Sequence, residues 1–249
     1  MTIKKFSIIG ERCSGTRYLQ RMMLTNFDIV DNKKNVIHKH FFQHPKKYKK
    51  KNVDDVLFIG IVREPYAWMN SFIKRGNHLE DDMYFKGGKF KVDNFLNKPF
   101  ISKYPKNKNG REIKGGAIDI NPDTGKHYKN IFELRKHKLK FQMKVLPTLV
   151  KNYILIRYED FRDNWEVILP ILKNKYGLKT RTVYPKNYTE WTKRKLSGKK
   201  NVKFPIKKKL VYNNKSLDKS IERKMGYCIG EDNEISKFSV DNIIYSSVV

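Results

Sequence analysis

The apolar positions of this chain fall in short blocks that alternate between two periods. Phe6, Ile8 and Ile9 form a brief apolar run closed by Gly10, which predicts a buried strand. Tyr18, Leu19, Met22 and Met23 then recur at helical spacing, so a helix is expected to begin between Ser14 and Thr16. Residues 27–30 and 36–42 have further strand character, and 56–62 is apolar throughout, as in a central parallel strand. That run ends in Arg63-Glu64-Pro65, and Trp68, Phe72 and Ile73 give an apolar stripe to a helix over 66–74. Helical spacing returns at Ile131, Leu134, Leu139, Met143, Leu146 and Leu149, followed by a strand over 153–156 and a helix over about 163–176. A last short helix is expected within 217–227. Strands alternating with helices predict an α/β fold, a three-layer α/β/α arrangement around a mostly parallel sheet.

Two stretches interrupt the alternation. Residues 77–126 are rich in Gly, Lys and Asn with little periodicity, and read as a long insertion, a lid or an acceptor-binding loop. From about residue 180 the chain is basic and irregular. The expectation is therefore one domain over 1–249 carrying an insertion, and no internal repeat is visible.

Composition narrows the partners. Hydrophobic residues make up 39% of the 249 residues, enough for a core. The formal net charge is +29, most of it lysine spread along the chain and accompanied by many Asn and Ile, a pattern that A/T-rich coding also produces. The charge points to a solvated basic surface first and to a polyanion second. Cys13 and Cys228 give neither a disulfide framework nor a metal-ligand spacing. No apolar run reaches membrane-spanning length, and the first strand starts almost at once. The protein is expected to be soluble and cytoplasmic, without signal peptide or membrane partner.

Candidate chemistry gathers at the carboxyl ends of the strands, where open α/β sheets bind ligands. Gly10 and Gly15 match the G-x-x-x-x-G of a nucleotide phosphate loop, with strand before and helix after. Thr16 stands where such a loop carries its lysine, and Arg17 where it carries the magnesium-binding hydroxyl. The best strand closes on Arg63 rather than on an aspartate. An arginine there repels a metal and attracts a second phosphate, so the pattern fits an anionic nucleotide held without metal. Further polar strand ends are His38-Lys39-His40 and Arg157-Tyr158-Glu159. Arg157 and Glu159 read as a structural pair, or Glu159 as a helix cap.

Three blocks resemble the sulfotransferases that use 3′-phosphoadenosine 5′-phosphosulfate (PAPS), over roughly residues 5–176. Arg12-Cys13-Ser14-Gly15-Thr16-Arg17 is similar to the family's 5′-phosphosulfate loop. Arg63-Glu64-Pro65-Tyr66 with Ser71, eight positions after Arg63, is similar to its 3′-phosphate element, and Arg157-Tyr158-Glu159-Asp160 to a structural strand-end block. The resemblance implies a P-loop nucleotide-hydrolase-like fold, PAPS as donor, adenosine 3′,5′-bisphosphate as product and no metal. It implies nucleotide contacts from Arg12, Cys13, Ser14, Gly15, Thr16, Arg17, Arg63 and Ser71, and a catalytic set of His40, Lys39 and Arg12. His40 is the base for an acceptor hydroxyl, with His38 the second candidate. Cys13 replaces the loop lysine common in the family, so charge must come from Arg12, Arg17 or Lys39. Arg194-Lys195-Leu196-Ser197-Gly198 loosely resembles the family's C-terminal loop over the nucleotide. The acceptor is expected to be a carbohydrate or small metabolite, an anionic polysaccharide included. Two other readings stay open: a divergent nucleotide kinase, and a basic protein that binds nucleic acid or another polyanion.

Overall fold

The computed structural model describes residues 2–32, 40, 53–75, 79–86, 89–102, 119–187, 206–227, 229 and 235–245. Strands β1 (Lys5–Gly10), β2 (Val30–Asp31), β3 (Val56–Val62) and β6 (Tyr153–Arg157) form the parallel part of a five-stranded sheet. Its order is β2-β1-β3-β6-β7, with β7 (Ile244–Tyr245) antiparallel on β6. A small hairpin of β4 (Phe85–Lys86) and β5 (Lys89–Phe90) stands apart from it.

Seven consecutive buried residues make β3 the centre of the sheet, and side-chain alternation sends them to two cores. Leu57, Ile59 and Ile61 join Phe6, Ile8, Ile154 and Ile156 on one face, covered by α1 (Thr16–Asn26) and α8 (Trp165–Tyr176). Val56, Phe58 and Val62 join Ile9 and Leu155 on the other, under α2 (Pro65–Arg75), α4 (Val92–Asn97) and α5 (Ile131–Lys140). The chain is thus an α/β fold with a mostly parallel sheet between helices, as the alternation predicts.

Local chemistry fixes the helix ends. The Glu64 carboxylate accepts from the backbone N–H groups of Tyr66 and Ala67, and Pro65 opens α2 where its missing N–H costs nothing. Asn130 caps α5 through Phe132 and Glu133, and Gly177 closes α8 in the left-handed conformation. A π-helical turn (Phe141–Val145) joins α5 to α6 (Leu146–Leu149).

Several expectations need correction. The second strand lies at Val30–Asp31, because Phe27 bridges instead to Thr180 and Asp28 bonds Lys179. The insertion is no bare loop in its described parts. It holds α3 (Asp81–Tyr84), the β4–β5 hairpin and α4, and it buries Leu79, Tyr84, Phe95 and Phe100 in the core. The helix expected over about 163–176 is α8, and the last short helix expected within 217–227 lies at Lys219–Lys224. Two short helices outside the expectation accompany them, α7 (Tyr158–Asp163) and one at Lys208–Tyr212. Arg157 pairs with Asp160 rather than Glu159, at 2.5 and 2.8 Å, and also reaches Gly226 and Ser236. Glu159 accepts from the backbone N–H of Glu64, at the start of α2, and from Tyr227.

Candidate functional site

β1 and β3 are adjacent, so the loop after Gly10 and the Arg63 that closes β3 share one end of the sheet. Gly10 is needed by contact, since a Cβ there would lie 2.7 Å from the Ile61 carbonyl oxygen and 2.8 Å from Ser14 Oγ. Gly15 is needed by conformation, with φ at 99°, and the Tyr158 ring occupies the space of any side chain. Cys13 also takes a left-handed φ of 67°. A non-glycine residue there is uncommon and marks a loop held in shape by its surroundings.

Those surroundings tie down the loop's carbonyl oxygens one after another. His40 Nδ1 bonds that of Gly10 at 2.9 Å, and Ser14 Oγ donates to that of Glu11 at 2.7 Å. Trp68 Nε1 donates to Arg12 at 2.8 Å, and Arg63 Nη1 to Cys13 at 3.2 Å. In a trans peptide the N–H points opposite to the C=O, so these pinned carbonyls set the direction of the N–H groups of Glu11, Arg12, Cys13 and Ser14, the last of which donates back to the Glu11 carbonyl at 3.2 Å. No side chain caps α1, and the N–H groups of Gly15, Thr16 and Arg17 have no acceptor among the described residues. A row of free amides at a helix start is an anion cradle.

Arg63 borders that cradle. Its guanidinium stacks on Tyr158 at 4.7 Å from the ring centroid, and its Nε is buried without a hydrogen-bond partner. A buried N–H left unsatisfied is costly, and an incoming anion would satisfy it. Arg63 forms no ion pair with Glu64 or Glu159 among the described residues. Ser71, two turns along α2, hydrogen-bonds the Cys13 thiol, and Arg75, Arg63 and Arg12 lie within electrostatic reach of it. Burial nevertheless pushes the thiol up, so the position where a lysine was expected is a neutral Cys13 among three guanidiniums.

The other expected residues fall in three places. Thr16 is buried at the first turn of α1, and Arg17 is exposed one residue on, with no ion-pair partner among the described residues. Arg12 turns inward, where Nη1 pairs with Asp119 Oδ2 at 3.0 Å. Lys39 and His38 lie outside the described residues, as do 36–37, 41–42 and Arg194-Lys195-Leu196-Ser197-Gly198. His40 reaches the site. The Gly10 carbonyl can only accept, so Nδ1 carries the proton and the neutral ring keeps its lone pair on Nε2.

Beneath the loop runs a buried charge network. Arg135 donates to Glu11 Oε2 at 3.2 Å, to both oxygens of Glu222 at 2.5 and 2.8 Å, and to the Arg63 carbonyl at 2.9 Å. One guanidinium therefore braces the loop and the end of β3 together. Lys138 Nζ donates to Asp119 Oδ1 at 2.6 Å and to the His40 carbonyl at 2.9 Å. Burial alone would raise Asp119, but Lys138 and Arg12 outweigh it and hold that carboxyl below its usual range. Burial raises Glu11 to about 7 against the opposing pull of Arg135 and Lys138, and its Oε1 has no partner. Arg135, Lys138, Asp119 and Glu222 escaped the sequence reading, in which Trp68 is only part of an apolar helix stripe. The available signal was on α5, where Arg135 and Lys138 stand four and seven residues after Ile131, on the buried stripe.

Among the described residues no group of three or more His, Cys, Asp or Glu could hold a metal ion, and no helix is long and apolar enough to cross a membrane. Comparison with protein-family models, curated proteins and solved structures finds no match.

Proposed function

We propose that this chain is a PAPS-dependent sulfotransferase acting on an acceptor hydroxyl, with a P-loop-like cradle for the donor. The observation that carries the reading is the bond from Arg63 Nη1 to the Cys13 carbonyl, which joins the strand-end arginine and the phosphate loop in one site. The residues present fit a nucleotide with two separated anionic groups. The N–H groups of Gly15, Thr16 and Arg17 and the Arg17 side chain suit the 5′ group. Arg63, with its unsatisfied Nε, and Ser71 suit the 3′-phosphate.

When bound, the donor supplies a sulfuryl group attached to a phosphate leaving group. The protein's part is positioning and charge. His40 Nε2 takes the proton of the acceptor hydroxyl, which is a poor nucleophile at neutral pH. Loop amides and guanidiniums stabilise the negative charge that grows on the leaving phosphate during in-line transfer. A kinase reading is weaker, because Thr16 and Arg17 replace the lysine and the magnesium-binding hydroxyl that phosphoryl transfer uses. The net charge of +29 favours a second reading, in which the basic surface binds a polyanion.

Calorimetric titration with adenosine 3′,5′-bisphosphate tests the reading. Saturable one-site binding that survives EDTA and exceeds the affinity for adenosine 5′-monophosphate is expected. The absence of saturable binding overturns it. Binding that is equal for any polyanion and falls steeply with salt would favour the second reading instead.

A further inference from the structure

His40 is held at two points. Its ring Nδ1 bonds the Gly10 carbonyl oxygen at 2.9 Å, and its own carbonyl oxygen accepts from Lys138 Nζ at 2.9 Å. Lys138 comes from α5, nearly a hundred residues away in sequence, where an apolar side chain would suit the stripe. The lysine is instead buried, with its side chain 4% exposed, and Asp119 at 2.6 Å balances its charge. Asp119, 2% exposed, passes the connection on to Arg12 of the loop at 3.0 Å, and its backbone N–H is fixed by Ser102 Oγ at 2.9 Å. A buried ammonium ion is retained at a cost in desolvation, and here two of its bonds go to the Asp119 carboxylate and the His40 carbonyl.

The two holds act on different parts of His40. The Lys138 bond places the backbone, and the Gly10 bond then sets the ring plane and the proton on Nδ1. An imidazole without such a partner in water prefers its proton on Nε2. Release of the backbone would let the ring leave Gly10, and Nε2 would then carry the proton it has to accept. We propose that Lys138, braced by Asp119, is a positioning residue that keeps His40 in the Nδ1-protonated tautomer with Nε2 ready as a base. The proposal rests on reading His40 as the base, and its test is independent of nucleotide binding.

The test is long-range ¹H–¹⁵N NMR on the full chain with ¹⁵N-labelled histidine, which reports the tautomer of each of the six histidines. His40→Gln identifies the His40 signals. In the wild type His40 should show the Nδ1–H pattern. In Lys138→Met the Nε2–H form should become the majority, and Lys138→Arg should restore the original pattern. Lys138→Met leaves Asp119 balanced by Arg12 and hydrogen-bonded by Ser102, and the double variant Lys138→Met, Asp119→Asn, whose amide oxygen can still accept from Arg12, is measured in parallel as a second route to the same loss. It should show the same switch. An unchanged Nδ1–H pattern in either folded variant overturns the proposal, as does failure of Lys138→Arg to restore it. Binding of adenosine 3′,5′-bisphosphate by the same samples separates the two claims. A tautomer switch in a protein that does not bind the nucleotide keeps the positioning role and removes the sulfotransferase reading, while nucleotide binding with an unmoved tautomer does the reverse.

Discussion

Arg63 Nη1 donates to the carbonyl oxygen of Cys13 at 3.2 Å across fifty residues of chain. The bond joins the end of the central strand to the middle of the phosphate loop, and Arg135 supports both from below through Glu11 and the Arg63 carbonyl. The loop and the strand end therefore form one rigid unit.

Removing the Arg63 guanidinium should weaken nucleotide binding more than it weakens the fold. Arg63→Ala is expected to lower the affinity for adenosine 3′,5′-bisphosphate by about 10- to 100-fold, the worth of one charge-assisted hydrogen-bond donor set. Arg63→Lys should recover only part, because an ammonium neither stacks on Tyr158 in the same way nor offers a fork of donors. Calorimetry reads both, and equal affinities in all three proteins would remove Arg63 from the site.

His40 makes the opposite kind of prediction. His40→Ala should reduce transfer to an accepted hydroxyl, followed as release of adenosine 3′,5′-bisphosphate from the donor, by about 10²- to 10⁴-fold. Affinity for that nucleotide should stay close to wild type, since the loop keeps its bonds from Ser14, Trp68 and Arg63. Joint loss of turnover and affinity would make His40 a brace for the Gly10 carbonyl and nothing more.

The frame of the fold was legible because its signals are local. Seven apolar residues in a row announce β3, and Gly10, Gly15 and the Glu64-Pro65 pair announce the turns and caps around it. The insertion was misread because Leu79, Tyr84, Phe95 and Phe100 are spaced by neither helix nor strand period, and they meet only in the tertiary structure. The same reason hid the charges. Arg12 looks like a loop arginine in sequence, but its partner Asp119 lies 107 positions away, and nothing local marks that pairing. Arg135 and Lys138 on an apolar helix stripe were the one visible hint that a buried network exists.

Gly15 offers a test of the loop's shape. Gly15→Ala places a methyl group against the Tyr158 ring at a backbone φ of 99°, where L side chains are strained. The left-handed conformation alone costs about 1–3 kcal/mol, and the clash adds to it because the ring is also packed against Arg63 and Tyr18. At about 2–4 °C per kcal/mol for a chain of this size, a fall in Tm of several degrees is expected. Nucleotide binding should fall in the protein that remains folded, because a shifted Gly15 misplaces the first amides of α1. A Tm and affinity equal to wild type would mean that the loop is softer than its contacts imply.

Glu11 gives the pH dependence its sign. Burial raises its carboxyl from 4.5 to about 7, so between those values the folded chain holds a proton that the unfolded chain releases. The stability contributed by this group is complete below about 4.5 and is lost as pH rises through about 7. Asp119, held low by Lys138 and Arg12 despite its burial, acts in the other direction, with its contribution lost only on acidification. Glu11→Gln imitates the protonated acid and removes the titration. The stability of Glu11→Gln minus that of wild type should therefore grow from pH 5 to pH 8, with a slope approaching one proton in the middle of the range, and level off above it. Denaturant unfolding of both proteins at matched pH values measures this difference. A flat difference across the range would show that Glu11 is ionised throughout, with Arg135 outweighing its burial.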